Sequence, residues 1–215
     1  LLKKIIFIHH GGGIGGAPIS MLDLASSLNK TEYNILIIFS SNGPIVNIAR
    51  ERGFNTKVVN FKSVFFYGSH IKFRISMFFN FLWNYFATIR KMNRLIKDEK
   101  PSLIYLNTSV LVTCASAVKK NNIPLVWSVR EVPGSNSIIR KWHINKIEKL
   151  SDHITFTSKY VMNYFNSSQN SSVLYNSVNV EKFKLDKSKI NERIRNKYNI
   201  EDNAIVLCMI GSIQK

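Results

Sequence analysis

The stretch KKIIFIHHGGGIGGAPISMLDLA, residues 3–25, decides the fold class of this 215-residue chain. It joins a short apolar run, a loop with five glycines in six residues, and a segment whose apolar residues recur at helical spacing. A strand that is apolar throughout needs cover on both faces, which is typical of parallel sheets. The stretch therefore predicts the first strand–loop–helix unit of an α/β domain.

The same alternation continues along the chain. β-rich runs predict strands at 4–9, 33–39, 56–60, 103–106, 125–129, 153–157 and 172–174. Helical patterns lie between them at 19–28, 43–52, 110–121 and 137–150. Strands that alternate with helices predict a doubly wound, Rossmann-like parallel sheet. Ligands of such sheets bind beyond the carboxyl ends of the strands, so the candidate residues are those that follow each strand.

Composition argues against several classes of protein. An apolar fraction of 45% is sufficient for a core and does not fit a wholly disordered chain. Cys114 and Cys208 lie far apart in apolar runs, which fits a reducing compartment and no disulfide framework. No residues stand at metal-ligand spacing, so we expect no metal site. Neither a signal peptide nor an apolar run of 18 residues is visible, so a membrane-spanning helix is not expected.

Charge and length suggest partners and domains. The net charge of +17 predicts an anionic partner. We expect one domain at 1–180, a charged linker at 181–202, and the first strand and loop of a second domain at 203–215, where AIVLCMI (204–210) predicts a strand. The chain starts at Leu1 and stops just after that run, which indicates a fragment.

The glycine loop formally matches G-x-G-x-x-G at Gly11, Gly13 and Gly16. A dinucleotide site also expects an acid at the end of the second strand, where this sequence reads FSSN, 39–42. Glycines allow a bulky or anionic ligand to approach the backbone, and the following helix N-terminus favours negative charge. A turn without a ligand and a nicotinamide or flavin site are the alternatives.

Six segments, in order, resemble the amino-terminal domain of glycosyltransferase family 4, the retaining sugar transferases of GT-B fold. They are GGAP with SMLDLA (15–25), LNT (106–108), WSVRE (127–131), DHI with TS (152–158), NSVN with its phenylalanine (176–183), and CMIGSI (208–213). The resemblance implies transfer of a sugar from a nucleotide-sugar donor to an acceptor without a metal or other cofactor. It places the acceptor on this domain and the nucleotide on a second domain whose E-x7-E element is absent here. We therefore expect an incomplete catalyst.

The resemblance also carries over site residues. It implies that substrate is bound by Gly12, Gly13, Gly15, Gly16, Asn107, Ser158 and Asn176, and donor phosphate by Gly211 and Lys215. Related sequences read W-H-x-R-E where this chain has Ser128 in place of the histidine. Arg130 and Glu131 then become the catalytic candidates, as a phosphate clamp and as the acceptor of a hydroxyl proton. A plain Arg–Glu ion pair is the alternative, and His9 and His10 are rival polar groups.

Residues 71–97 form a basic and aromatic segment with an apolar stripe at helical spacing that includes Phe86 and Ile89. Its apolar part is too short and too polar to span a bilayer. It predicts a crossover helix packed on the sheet, a helix resting on an anionic membrane surface, or both.

The expected setting is cell-surface polysaccharide or glycolipid assembly in bacteria, in the cytoplasm and peripherally at the inner face of the cytoplasmic membrane, with a saccharide or lipid-linked acceptor. Two alternatives are a non-enzymatic basic module that binds nucleic acid and a dinucleotide-dependent nucleotide-sugar epimerase or dehydrogenase. The cations are spread along the chain without a nucleic-acid motif, so no nucleic acid is expected. A dinucleotide enzyme is disfavoured, because this chain lacks the acid after the second strand and the Y-x-x-x-K sequence. Tyr160 is followed four residues later by Tyr164 in place of a lysine.

Overall fold

The computed structural model describes residues 2–62, 75–132, 137–165, 170–178, 180, 195–201 and 203–207, with the side chains of 75–82 and 137–139 left out. Seven parallel strands form one sheet in the order β3-β2-β1-β4-β5-β6-β7. They are β1 Lys3–His9, β2 Tyr33–Phe39, β3 Asn55–Val58, β4 Leu103–Asn107, β5 Leu125–Val129, β6 His153–Phe156 and β7 Ser171–Val173. The predicted doubly wound α/β fold is confirmed, and each of the seven strands predicted between residues 4 and 174 is in place to within two residues at either end.

In the described part of the chain, six helices connect the strands. They are α1 Gly16–Ser27, α2 Pro44–Glu51, α3 Ile75–Glu99, α4 Val112–Lys120, α5 Ser137–Leu150 and α6 Lys159–Phe165. The sequence patterns did not predict α6. No helix in the described part of the chain is both long enough and apolar enough to cross a membrane.

Alternate residues of the central strands enter two separate cores. Ile6 and Ile8 of β1 pack with the α3 and α4 side, whereas Ile5 and Phe7 pack with α1 and α2. Each core contains fully buried aliphatic side chains, such as Met92 of α3. Both faces of each central strand are covered, so successive side chains are buried on either side. This is why the sequence of each central strand is a continuous apolar run.

The long helix α3 is fastened at its end. Glu99 accepts hydrogen bonds from Lys4 Nζ (2.9 Å) on β1 and from Lys57 Nζ on β3. These bonds from Lys57 and Lys4 lower the pKa of the Glu99 carboxyl. The predicted crossover helix is therefore present, and it runs antiparallel to the strands, since Glu99 at its carboxyl end meets the first residues of β1. Phe86 of the predicted apolar stripe points outward and is 62% exposed.

The chain forms two compact units, Leu1–Ser177 and Val178–Lys215. All seven strands belong to the first unit. In the second, residues 195–198 form one helical turn, and Arg195 Nη2 donates to Ala204 O at 3.1 Å. The strand predicted at 204–210 is not formed at 204–207, where no described segment pairs with it, and 208–210 lie outside the described residues.

Two loops cross at the carboxyl edge of the sheet. Ile45 N donates to Gly12 O at 3.2 Å, which joins the loop after β1 to the start of α2 just beyond the loop after β2. A Cβ on Gly12 would lie 2.4 Å from Asn42 O, and one on Gly43 would lie 2.2 Å from Gly12 O. No side chain fits between these backbones, so both glycines are required by the crossing itself.

We expect Gly12→Ala and Gly43→Ala each to lower the free energy of unfolding by about 1–3 kcal/mol, because the added methyl group forces the two backbones apart. Gly11→Ala is the matched control, since no atom lies within 4 Å of its Cβ position. Urea unfolding followed by circular dichroism compares the three variants. Equal stabilities would show that the loops separate without cost.

Candidate functional site

The candidate site begins as a row of polar residues where the central strands end. Strand register aligns His9 of β1 with Asn107 of β4, and Asn107 with Ser128 of β5. All three side chains are buried. Parallel strands present their carboxyl ends at one edge of the sheet, so residues distant in sequence meet there.

Asn107 is the centre of this row and is completely buried. Its Oδ1 accepts from Arg130 Nε at 2.8 Å, and its Nδ2 donates to Ala17 O at 3.1 Å. His9 Nδ1 lies 3.0 Å from the same Nδ2 and 3.3 Å from Asn107 O. The side-chain amide therefore ties β1, β4, the start of α1 and Arg130 together.

Arg130 extends the network beyond the sheet. Its Nη1 donates to Asn176 Oδ1 at 2.8 Å, and its Nη2 lies 3.4 Å from Ser20 Oγ. Ser20 Oγ also donates to Asn176 Oδ1, at 2.7 Å. The guanidinium thus joins the end of β5 to α1 and to the segment after β7. Two predicted site residues, Asn107 and Asn176, are brought to the same side chain.

Glu131 takes a different partner from its neighbour in sequence. Its Oε2 accepts from Ser109 Oγ at 3.1 Å and from Ser109 N at 3.4 Å. Among the described residues no ion pair joins Arg130 to Glu131. The plain ion pair considered from the sequence is therefore not formed, and the cation and the carboxylate are held separately at one edge.

Thr108 is the strained residue of the site. Its φ of 116° is rare for a β-branched residue, and its side chain is completely buried. Its N donates to Ser128 O (3.1 Å), its O accepts from Trp127 Nε1 (2.8 Å), and its Oγ1 lies 2.9 Å from His10 Nδ1. Every polar atom of Thr108 has a partner, which is how the surrounding structure maintains the strained turn.

Three histidines line this edge in the neutral state. The pKa of His9 is lowered to about 3 by burial first and by the nearby His10, with Arg130 adding to the effect and the Asn107 bond opposing it. Burial also lowers the pKa of His10, against the opposing charge of Glu131. Burial lowers the pKa of His143, whose Nε2 donates to Ser109 O at 2.7 Å. At neutral pH Arg130 and Glu131 therefore supply the formal charges of the cluster.

The glycine loop divides into a packed part and an open part. Gly12 is buried against Asn42 and Gly43, which gives it a structural role. Gly13, Gly15 and Gly16 are exposed, and the space at their Cβ positions is empty or holds only Pro18 Cδ at 3.7 Å. The open glycines precede and begin α1, next to the point where Ala17 O meets Asn107. A ligand can therefore approach the backbone at 13–16.

The remaining predicted residues lie elsewhere. Ser158 Oγ accepts from Val161 N at 3.2 Å, so Ser158 caps the start of α6 and does not bond to the cluster described above. Gly211 and Lys215 lie outside the described residues. In the described part of the chain, no three His, Cys, Asp or Glu side chains come together in a way that could hold a metal ion.

Sequence reasoning did not place Ser20 and His143 in the site, and it named Thr108 and Ser109 only as residues that follow a strand, without a role. Thr108 and Ser109 directly follow a predicted strand, which is a usable signal because ligands bind there. His143 lies within α5, and no local pattern distinguishes it from a surface residue. Only the packing of α5 on the sheet brings it to Ser109 O.

Comparison with known proteins identifies the family of the chain. The sequence profile of Glycosyltransferase Family 4 matches residues 14–182. No curated protein matches the sequence significantly. Among solved structures, the fold is similar to Anabaena HepE in complex with UDP and glucose (TM-score 0.66, 19% identity, 91% of this chain and 50% of that chain).

Two further structures illustrate the range of the fold. A glycosyltransferase from Rickettsia africae has a TM-score of 0.67 and 14% identity over 94% of this chain and 51% of that chain. The UDP-GlcNAc 2-epimerase of Neisseria meningitidis bound to UDP-GlcNAc has a TM-score of 0.55 and 12% identity over 94% and 55%. The chain thus spans about half the length of these proteins, and at such identities the likeness concerns the fold.

The neutral histidines predict a loss of stability in mild acid. Below its ordinary value of 6.5 the unfolded chain protonates His9, whereas the folded chain does not until about pH 3. The free energy of unfolding is therefore highest above pH 6.5 with respect to His9. It falls as the pH decreases, by about 2 kcal/mol at pH 5 for His9 alone. His10 and His143 act in the same direction.

Urea unfolding at several pH values between about 7 and 5 measures this slope. His9→Asn is expected to reduce the number of protons taken up on unfolding by nearly one, and so to make the free energy of unfolding depend less on pH. This holds even if the substitution lowers the stability at pH 7. Asn34→Ala on β2, which removes no group that titrates in this pH range, should keep the original slope. An unchanged slope in His9→Asn would contradict the assignment of a neutral, buried His9.

Proposed function

Since the chain belongs to glycosyltransferase family 4, we propose that it is the acceptor-side domain of a retaining sugar transferase that uses a nucleotide-sugar donor. The observation that carries the proposal is the cluster of Asn107, Arg130 and Glu131 beside the open glycine loop, at the edge of the sheet where α/β domains bind ligands. The structural likeness to a UDP and glucose complex supports a nucleotide-sugar donor.

In this proposal Arg130 holds negative charge. Its guanidinium is oriented by hydrogen bonds to two asparagine oxygens, Asn107 Oδ1 and Asn176 Oδ1, neither of which neutralises it. An oriented, uncompensated guanidinium suits a phosphate or a developing anion. The exposed backbone at 13–16 and the N-terminus of α1 lie close to the same asparagine and favour the same charge.

Glu131 is the proposed acceptor of the proton from the attacking hydroxyl. Ser109 holds its carboxylate through the side-chain hydroxyl and the backbone N–H, so the oxygen that accepts a proton has a defined position. His10, held by Thr108 Oγ1, is the rival base, because a neutral imidazole also accepts a proton. Retention of configuration is part of the proposal and comes from the family.

The whole enzyme is proposed to need a second domain. The chain spans about half the length of the similar structures, and the proposed phosphate contacts of Gly211 and Lys215 belong to the donor side. We expect little or no transfer by residues 1–215 alone. The proposal includes a saccharide or lipid-linked acceptor and a role in cell-surface polysaccharide or glycolipid assembly in bacteria. It also includes a location in the cytoplasm and peripherally at the inner face of the cytoplasmic membrane.

The dinucleotide alternative gains no support from the site. A nicotinamide enzyme would use an acid at the end of β2 for the ribose hydroxyls. Here Ser40 occupies that position, and its N and Oγ donate to His9 O and His10 O. The end of β2 therefore holds the glycine loop in place.

Glu131→Gln tests the catalytic assignment, because it keeps the bond from Ser109 and removes the basic oxygen. In the protein form that contains the donor domain, we expect sugar transfer to fall about 10²–10⁴-fold. Glu51→Gln, an exposed residue at the end of α2, is the control and should leave the rate unchanged. Nucleotide release from a panel of nucleotide sugars and saccharides measures the rate. A Glu131→Gln enzyme with the original rate would assign Glu131 a structural role and favour His10.

A further inference from the structure

The outer face of α3 carries exposed aromatic and cationic side chains on one stripe. Trp83 and Phe86 are 77% and 62% exposed, and Arg90, Lys91 and Arg94 follow at helical spacing on the same side. The opposite side of the helix, which includes Thr88, Met92, Leu95 and Ile96, is buried in the domain. We call the five exposed residues the α3 outer face.

This face borders a groove of about 650 Å³ between α3 and the edge strand β3. The groove is lined on the strand side by residues 57–60, including the exposed Val58. Two large exposed aromatics beside a further exposed valine form an apolar patch that a solvated helix does not require. Something apolar is therefore expected to cover it.

The charges of the patch indicate an anionic partner. Arg90 and Arg94 make no ion pair with any residue that the structure describes. Lys91 Nζ donates to Asn60 O, a neutral group. Asp98 is the only acid that lines the described groove. The local excess of positive charge has the same sign as the +17 of the whole chain.

The aromatics and cations occupy successive levels along the helix. At 1.5 Å per residue, Arg90 lies about 6 Å and Arg94 about 12 Å from Phe86 along the axis. A bilayer presents the same order to a helix that is inclined to it with the aromatic end foremost, since its acyl boundary is followed by a phosphate layer of several Å. In this orientation Trp and Phe reach the acyl boundary, and Arg and Lys meet the phosphates.

The patch also lies on the side of the domain that carries the candidate site. The register aligns Val58 with Phe39 and Phe39 with His9, so the end of β3 is level with the polar row. β3 is two strands from β1, a distance of about 10 Å across the sheet. Because α3 runs antiparallel to the strands, its aromatic part lies toward this edge.

We propose that the α3 outer face docks on an anionic phospholipid bilayer, with Trp83 and Phe86 at the acyl boundary and Arg90, Lys91 and Arg94 on the headgroup phosphates. Nucleic acid is disfavoured, because sequence-tolerant strand binding uses aromatics interleaved with cations along a groove. Here the two kinds of side chain are separated along the helix. The inference stands on this surface alone and does not depend on the sugar-transfer reaction.

Vesicle co-sedimentation of residues 1–215 tests the docking. We expect binding to vesicles of phosphatidylcholine with phosphatidylglycerol, and little binding to phosphatidylcholine alone. Raising the salt from about 0.01 M to about 1 M should release the protein, since the Debye length falls from about 30 Å to about 3 Å. The tryptophan emission of the protein should shift to shorter wavelength on binding, because the exposed Trp83 leaves water.

Two double variants, each with a matched control, assign the effect to the face. Arg90→Gln with Arg94→Gln should weaken binding about 30-fold, at about fivefold per cation. Lys146→Gln with Lys149→Gln removes two exposed cations of α5 and should weaken it much less. Trp83→Ser with Phe86→Ser should weaken binding at least tenfold and abolish the emission shift. Tyr160→Ser, which removes an exposed aromatic of α6, should not.

The result that overturns the proposal is equally definite. Binding that is equal on neutral and anionic vesicles, or equal in the α3 variants and their controls, would place the contact elsewhere. Preferential binding of single-stranded DNA that the same variants abolish would assign the face to nucleic acid. A dimer that Trp83→Ser with Phe86→Ser dissociates would assign it to a second copy of the chain.

Discussion

The buried side-chain amide of Asn107 is the constraint on which the site depends. A completely buried amide must find partners for its oxygen and its hydrogens, or the fold loses stability. Its partners are Arg130, Ala17 and His9, three residues that are far from Asn107 in sequence. Satisfying one polar group therefore sets the orientation of the guanidinium, the start of α1 and the end of β1.

The electrostatics of the edge follow from burial. Desolvation keeps the histidines neutral, so the guanidinium of Arg130 is not repelled by a charged ring at neutral pH. The strained turn at Thr108 positions the carboxylate of the site, because Ser109, the next residue, donates to Glu131. A cation and a carboxylate that are adjacent in sequence are in this way kept apart and ready for different partners.

Particular residues show which local patterns were sufficient. Apolar runs such as 33–39 predicted strands correctly, because a strand covered on both faces admits few polar residues. Helix α6 was missed because seven residues are too few for a helical period to stand out. The strand expected at 204–210 was not formed at 204–207, because an extended apolar run becomes a strand only when another strand pairs with it.

The sequence by itself determined the α/β class, the positions of the seven strands along the chain, and the family to which the glycine loop and WSVRE belong. Those properties are local, since periodicity and short motifs are written in neighbouring residues. Only the tertiary structure decided that Arg130 meets Asn107 and Asn176, that His143 reaches Ser109, and that Phe86 faces outward. Such contacts depend on how helices pack on a twisted sheet, which no single segment specifies.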